Sequence, residues 1–362
     1  MNITIAGAGI VGCAIAYELA TRGARVRVID ARDPGGGATR ASAGILAPHI
    51  EGHDPTLLTL GERSLALYDD FARRVATDGG QSVAYERNGT MEVAFTLDQA
   101  NALKRRARAL TNAQIEHTLL NAADVRRLEP AVTPHAVGGL LIPGHGYVDA
   151  AGLTHTLVCA AKARGAIFES GSVTRVEGGA IPRVHTLGEV IETDLVIVAA
   201  GSWSAYLNAS VPPDAVRPIR GQLVQLRLPE RPAERVLWGS DCYLVARRDG
   251  AVLVGATVED VGFDERATLS GVQQLLRSAV ALMPALEGAV FEEVRVGLRP
   301  KTSDELPAVG ASSTMPHVFY ATGHYRNGVL LAPLTARLVA DLVLDGREDT
   351  DLAPMTPSRL AL

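Results

Sequence analysis

Several things are scarce in this chain of 362 residues, and each shortage narrows what it can be. Positive charge is not in excess: 35 Lys and Arg against 40 Asp and Glu leave a formal net charge of −5. Nucleic-acid binding needs a basic surface to displace counterions, so that class is excluded. Cysteine is limited to Cys13, Cys159 and Cys242, far apart and without a CxxC pair. This excludes a structural zinc site and a disulfide scaffold, and fits a reducing compartment. No apolar run spans a bilayer. The best candidate, Ile3 to Ala20, is broken by Gly7, Gly9 and Gly12, carries Glu18 and has no Lys or Arg before it, unlike a signal peptide or membrane span. A soluble, cytoplasmic protein is expected. Aromatics are few as well, 16 in all.

What is abundant is glycine: 36 residues, against roughly 25 at the usual frequency of about 7%. No three-residue period supports a collagen reading, and the scatter through apolar segments excludes a simple linker. The excess points to backbone that approaches itself or a ligand closely. With 47% hydrophobic and 21% charged residues the chain can bury a sizeable core, and at roughly 150 residues per domain it holds about two domains.

Asn2 to Ala6 reads as a buried strand, Gly7-Ala8-Gly9-Ile10-Val11-Gly12 as a tight turn, the residues to about Arg22 as a helix, and Arg25 to Asp30 as a second strand ending on an acid. This is the opening βαβ of a dinucleotide-binding domain. Apolar spacing at Leu57, Leu60, Leu67, Phe71 and Val75 predicts a helix with Ser64 as a polar exception. Thr90 to Phe95 reads as a strand, Leu97 to Leu110 as an exposed helix, and Asp149 as the N-cap of a helix to about Ala163. The basic clusters Lys104-Arg105-Arg106 and Arg126-Arg127 read as solvated helix faces. Asp194 to Gly201 is an unbroken apolar strand of the fully covered kind. Strands follow at Leu223 to Leu228 and on either side of the Asp249-Gly250 turn, then a helix over Thr268 to Leu282, a strand at Val318 to Ala321 and a helix over Gly328 to Leu344. Buried-strand character thus returns only near 195 and 318, which implies one cofactor domain assembled from three separated segments.

In the glycine turn, Gly7 permits the bend, Gly9 lets backbone approach a pyrophosphate, and Gly12 lets helix pack on strand. The phosphates would sit at a helix N-terminus, and Asp30 would accept from a ribose; a structural turn beside an incidental acid is the plain alternative. The loop Gly35 to Gly44, with hydroxyls at Thr39 and Ser42, is either a flexible connector or backbone lying along the cofactor. Gly323 to Pro333 runs into the last helix, whose dipole could face a ring that becomes negative on reduction; an ordinary strand-to-helix turn has the same spacing. His49 and His53 are four apart, but Glu51 is misplaced for HExxH, Gly52 weakens a helix, and no third ligand is evident, so no metal is expected.

The N-terminal βαβ, Thr39 to Leu46, Asp194 to Gly201 followed by Ser202-Trp203-Ser204, and Gly323 to Pro333 together resemble the FAD-dependent D-amino-acid oxidase superfamily. Cys242 to Arg247, Gly255-Ala256-Thr257 and Gly297-Leu298-Arg299-Pro300 narrow the resemblance to its glycine oxidase branch. It spans nearly the whole chain in order.

The resemblance implies an α/β plus α+β fold: a discontinuous Rossmann-like FAD domain of the p-hydroxybenzoate hydroxylase kind (1–82, 140–212 and 297–362) with an inserted antiparallel-sheet substrate domain (83–139 and 213–296). It implies that Gly7, Gly9, Ile10, Val11, Gly12, Asp30, Ala31, Ala38, Thr39, Ala43, Gly44, Ile45 and Gly201 cradle FAD, with Val173 near the adenine. His324, Tyr325, Arg326, Asn327, Gly328, Val329 and Leu330 would follow the flavin ring. Arg299 would hold a substrate carboxylate with help from the Tyr243 hydroxyl, and Arg326 would flank the pocket. Two parallel guanidinium donors match a carboxylate, and the amino acid must be oriented before its Cα–H faces the flavin; a buried ion pair at Arg299 and plain packing at Tyr243 are the bland alternatives.

The implied activity is oxidative deamination of glycine, or of sarcosine or small D-amino acids. Hydride passes from Cα to flavin N5, giving a 2-oxo acid, ammonia and hydrogen peroxide, and no general base is required. In the family the imine can feed thiamine synthesis. The related sarcosine oxidases attach FAD through a C-terminal cysteine, whereas the last cysteine here is Cys242, so FAD is expected to be non-covalent. Trp238 and Asp241 stand where glycine oxidases have other residues, which leaves the substrate open. A D-amino-acid oxidase or dehydrogenase for larger substrates, and a non-catalytic FAD-binding subunit, are the alternatives. The resemblance further implies a homo-oligomer, a tetramer.

Overall fold

A computed structural model describes residues 1–51 and 54–362. Short apolar segments from three parts of the chain meet edge to edge in a six-stranded sheet, in the order Ala308–Ala311, Val318–Thr322, Leu195–Val198, Asn2–Ala6, Arg25–Asp30, Ile167–Ser170. All neighbours are parallel except the Ala308–Ala311 edge. Leu195–Val198 pairs residue for residue with Ile3 to Ala6, and all four of its side chains are buried, because both faces of the sheet are covered. Helices Ile10–Thr21, Ala150–Ala163 and Gly328–Asp345, backed by Pro55–Gly79, cover one face. A three-stranded antiparallel sheet, Val173–Glu177, Arg183–Thr186 and Val190–Glu192, covers the other.

Helix Pro55–Gly79 starts where the Asp54 carboxylate accepts from the backbone N–H of Thr56 and Leu57, and stops at Gly80 with φ +64°. Its polar exception has a partner. Ser64 is fully buried and its hydroxyl donates to the Leu330 carbonyl at 2.6 Å. Tyr68, one turn on, donates to the Val329 carbonyl at 2.6 Å. The second bond answers to Pro333 inside helix Gly328–Asp345: proline has no N–H for the carbonyl four residues back, and Tyr68 replaces that donor, while Ser64 also accepts from the Leu334 N–H at 3.3 Å.

The second sheet has eight strands, ordered Val290–Lys301, Arg217–Arg227, Ala251–Gly255, Tyr243–Ala246, Val236–Trp238, Thr90–Ala94, Gly138–Ile142, Thr118–Asn121. Its alternation sorts side chains by face. Leu244 and Ala246 turn to a core shared with helix Leu269–Leu282, while Tyr243 and Val245 join Leu223, Val236 and Leu253 on the side of Ala43 and Tyr147.

Three local expectations are corrected. Asp149 holds the N-cap position, but its side chain makes no capping bond; it is taken by Arg247 at 2.8 Å. Arg106 does not join the solvated face of Lys104 and Arg105, because it pairs with Glu92 at 2.6 Å and donates to the His49 carbonyl. The expected strand at 223–228 is the end of a longer one, Arg217–Arg227, held along its length by Val290–Lys301.

Candidate active site

Between the carboxyl ends of the parallel strands and the inner face of the large sheet lies a cavity of about 560 Å³, within the range of small-molecule and cofactor sites. Ala6, Asp30, Ala199 and Thr322 bring the ends of four parallel strands to it. The N-termini of two helices open onto it at Gly9, Ile10 and Val11 and at Gly328 and Val329, and neither has an acid in its first turn. Both ends therefore present donors and a positive dipole to the same space.

The glycine turn is sterically required. Gly7 has φ +113°, and a Cβ there would lie 2.4 Å from the Ala199 carbonyl oxygen; a Cβ on Gly12 would lie 2.1 Å from the Gly7 oxygen. Over Gly9 the nearest atom to a Cβ would be Thr39 Oγ1 at 3.6 Å, so the backbone there stays open to a ligand. Asp30 accepts from the Ala8 N–H at 2.7 Å and the Arg32 N–H at 2.9 Å, fixing the turn and leaving its remaining lone pairs at the cavity wall. The hydroxyls of the loop serve backbone first: Thr39 accepts from the Ile10 N–H at 3.1 Å and Ser42 from the Gly44 N–H at 3.1 Å.

Ala31, Ala38, Thr39, Ala43, Gly44, Ile45, Val173 and Gly201 line the cavity, as do His324, Tyr325 and Arg326. Three expected residues do not. Gly12 lies under the turn as a packing position, and Asn327, 8% exposed, precedes the helix and donates its N–H to the His324 carbonyl. Leu330 faces the core, its side chain against Gly61. Tyr325 adopts a left-handed φ of 47°, held by its N–H on the Pro300 carbonyl at 2.8 Å and by the Lys301 ammonium 5.1 Å from its ring. His324 is 3% exposed and bonds Thr335 at 3.0 Å; burial lowers its pKa to about 4, so it is neutral at physiological pH.

On the opposite wall, Arg299 and Tyr243 share the cavity. Each lies over a strand glycine. A Cβ on Gly221 would fall 2.3–2.4 Å from the Arg299 guanidinium, and one on Gly255 would fall 2.1 Å from the Tyr243 hydroxyl. Arg299 Nη1 donates to the Thr257 carbonyl at 3.0 Å, which holds the fork in place. Trp238 does not reach the cavity; its ring packs on Tyr243 with centroids 5.0 Å apart. Asp241 is exposed.

The profile of the family described as "FAD dependent oxidoreductase" matches residues 2–342. The chain belongs to the FAD-dependent oxidoreductase family. It is 33% identical to the glycine oxidase of Geobacillus kaustophilus, covering 99% of this chain and 97% of that protein. The bifunctional protein ThiO/ThiG of Nostoc sp. is 35% identical over 99% of the chain; the chain spans 55% of that protein's length. The crystal structure of the Geobacillus glycine oxidase superposes with a TM-score of 0.94 at 32% identity, covering 99% and 98% of the two chains. An iminodiacetate oxidase from Chelativorans superposes at 0.91 with 29% identity.

The cavity of this FAD-dependent oxidoreductase fits the dinucleotide. An open glycine at a helix N-terminus and an acid at the end of the second strand form the dinucleotide pattern, and the strand glycine recesses keep the opposite wall clear. Residues that composition and spacing did not disclose also line it, among them Arg32, Trp203 and Tyr206. Gly221, inside its strand, and Gly255, at the end of its strand, signalled the close approach of Arg299 and Tyr243 and carried no signal for Arg32 or Tyr206. Among the described residues no group of three or more His, Cys, Asp or Glu is placed to hold a metal. His49 instead stacks on His145, with Nδ1 2.7 Å from its Nε2, and contacts Glu62 at 2.9 Å; Gly52 and His53 lie outside the described residues. Among the described residues no helix is long and apolar enough to cross a membrane.

Proposed function

We propose that this enzyme oxidises glycine, or a comparably small amine such as sarcosine or a small D-amino acid, to glyoxylate or the matching 2-oxo acid. Oxygen and water are consumed; ammonia (or the amine of an N-substituted substrate) and hydrogen peroxide are released. The observation that carries the reading is the pairing of Arg299 and Tyr243, each recessed over a strand glycine, on the wall facing the dinucleotide cradle. A non-catalytic FAD subunit has no need of such a clamp.

The chain's own groups do the orienting. Arg299 receives the substrate carboxylate with two parallel donors and Tyr243 adds a third, which turns Cα toward the cavity floor. Arg326 flanks the same space as a second cation. His324 stays neutral and buried, so it places no competing charge beside the reacting centre. Helix Gly328–Asp345 directs its N-terminal dipole into the cavity, where negative charge develops on reduction. Bound FAD supplies a hydride acceptor for Cα and a reductant for oxygen. Its attachment is non-covalent in this reading, supported by the position of the thiols: Cys13 and Cys242 are buried and none of Cys13, Cys159 and Cys242 lines the cavity. In this reading residues 1–82, 140–212 and 297–362 belong to the cofactor domain and 83–139 and 213–296 to the substrate domain, with strands Gly138–Ile142 and Val290–Lys301, the latter carrying Arg299, crossing the boundary within the large sheet.

The test is product balance. In air, the holoenzyme with glycine should release glyoxylate and hydrogen peroxide in equal amounts, and Arg299→Leu should require far more glycine for the same rate. Absence of both products with every small amino acid tried would refute the proposal.

A further inference from the structure

The segment 256–268, between strand Ala251–Gly255 and helix Leu269–Leu282, holds Arg299 through Thr257 at one end and reaches Arg32, on the other side of the cavity, through Glu265. Its root is fixed by Arg220, which is 3% exposed. That guanidinium bonds the Glu259 carboxylate at 2.6 Å and the Arg266 carbonyl at 3.0 Å, and the backbones of Arg220 and Glu259 exchange hydrogen bonds at 2.8 and 3.0 Å. Thr257, at the same root, carries the carbonyl that holds Arg299.

The far reach of the segment crosses to the opposite wall. Glu265 takes both terminal nitrogens of Arg32, at 2.9 and 2.7 Å. The Arg32 guanidinium lies 4.8 Å from the centroid of Trp203, whose ring lies 5.4 Å from Phe263; Phe263 in turn meets Tyr206 edge-on at 5.4 Å. Arg32, Trp203 and Tyr206 line the cavity near Asp30 and Val173, whereas Glu265 and Phe263 do not. A bidentate pair, a cation over an indole and two ring contacts thus converge on one rim.

We propose that residues 258–267 form a strap closed over the adenosine end of the cofactor, with Glu265 as a positioning residue that retains FAD through Arg32. The strap fixes Arg32 against Trp203, so the adenosine half leaves only when the Arg32–Glu265 pair opens. Because Arg220 holds the strap at Glu259, at Asp264 (3.3 Å) and at the Arg266 carbonyl, losing the Glu265 carboxylate releases Arg32 while the strap root and Arg299 stay in place. The inference rests on FAD occupying this cavity, which tight FAD binding by the unaltered chain establishes separately from the glutamate.

The experiment compares FAD with FMN, which lacks the adenosine half. Dissociation constants for both are measured by flavin fluorescence with the unaltered chain, Glu265→Ala and Glu265→Asp. Glu265→Ala should weaken FAD binding by about three- to tenfold, the range of a half-exposed pair plus a cation–π contact. FMN affinity should not move, and Glu265→Asp should recover most of the FAD loss. Unchanged FAD affinity in Glu265→Ala, or an equal loss for FMN, would overturn the proposal, the second outcome marking a general loosening of the fold.

Discussion

Replacing Gly221 by alanine adds one methyl group, and the structure states where it goes. Its Cβ would lie 2.3 Å from Arg299 Nη2 and 2.4 Å from Cζ and Nη1, far inside contact distance. The backbone does not resist, since Gly221 is not at positive φ and sits mid-strand, paired with Gly297, where alanine is tolerated. What must move is the end of the Arg299 side chain, away from its 3.0 Å bond to the Thr257 carbonyl. The fold and the distant dinucleotide turn stay intact while the clamp is misaligned. Losing a charge-assisted hydrogen bond costs about 1.5–3 kcal/mol, so at about 1.4 kcal/mol per decade kcat/KM for glycine should fall about 10- to 150-fold. Steady-state oxygen consumption measures this, with the FAD dissociation constant and Tm as controls. Unchanged kcat/KM, with FAD bound, would refute the placement of the substrate carboxylate on Arg299.

Other consequences follow from buried bonds and charges. Tyr68→Phe removes the donor that serves the Val329 carbonyl beside Pro333; the orphaned acceptor should lower unfolding free energy by about 1–3 kcal/mol, read by denaturant titration. Burial alone would raise the Glu86 pKa, but hydrogen bonds from Asn88, Arg248 and Arg231 outweigh it and hold the carboxyl down at about 2, against an ordinary 4.5. Its contribution to stability is therefore complete above pH 4.5 and lost as pH falls toward 2. Tm should decline across that window in the unaltered chain and decline less in Glu86→Gln; parallel profiles would contradict the assignment.

Local signals in the sequence carried local structure well. The glycine turn, the acid ending the second strand and the fully apolar strand near 195 each have a short-range cause, namely a tight bend, an anion-facing helix end and two covered faces. The discontinuity of the cofactor layer was legible because buried-strand character recurs at distant positions. Pairings between remote segments were not legible. Strand Val290–Lys301 has a mostly half-exposed pattern without clear alternation, and nothing local announces its alignment with Arg217–Arg227. His49 pointed to His53 by spacing, while its ring partner, His145, lies 96 residues away. Arg32 and Glu265, 233 residues apart, meet only because an inserted layer folds back over the first.

In the proposed function this cavity brings a small amino acid to FAD. Anaerobic mixing of the yellow holoenzyme with glycine, sarcosine and a panel of D-amino acids tests it most directly. Glycine or another small amine should bleach the visible flavin absorbance, and air should restore it. Bleaching by bulky D-amino acids alone would contradict the proposed substrate class, and no bleaching by any amino acid would contradict the oxidase reading itself.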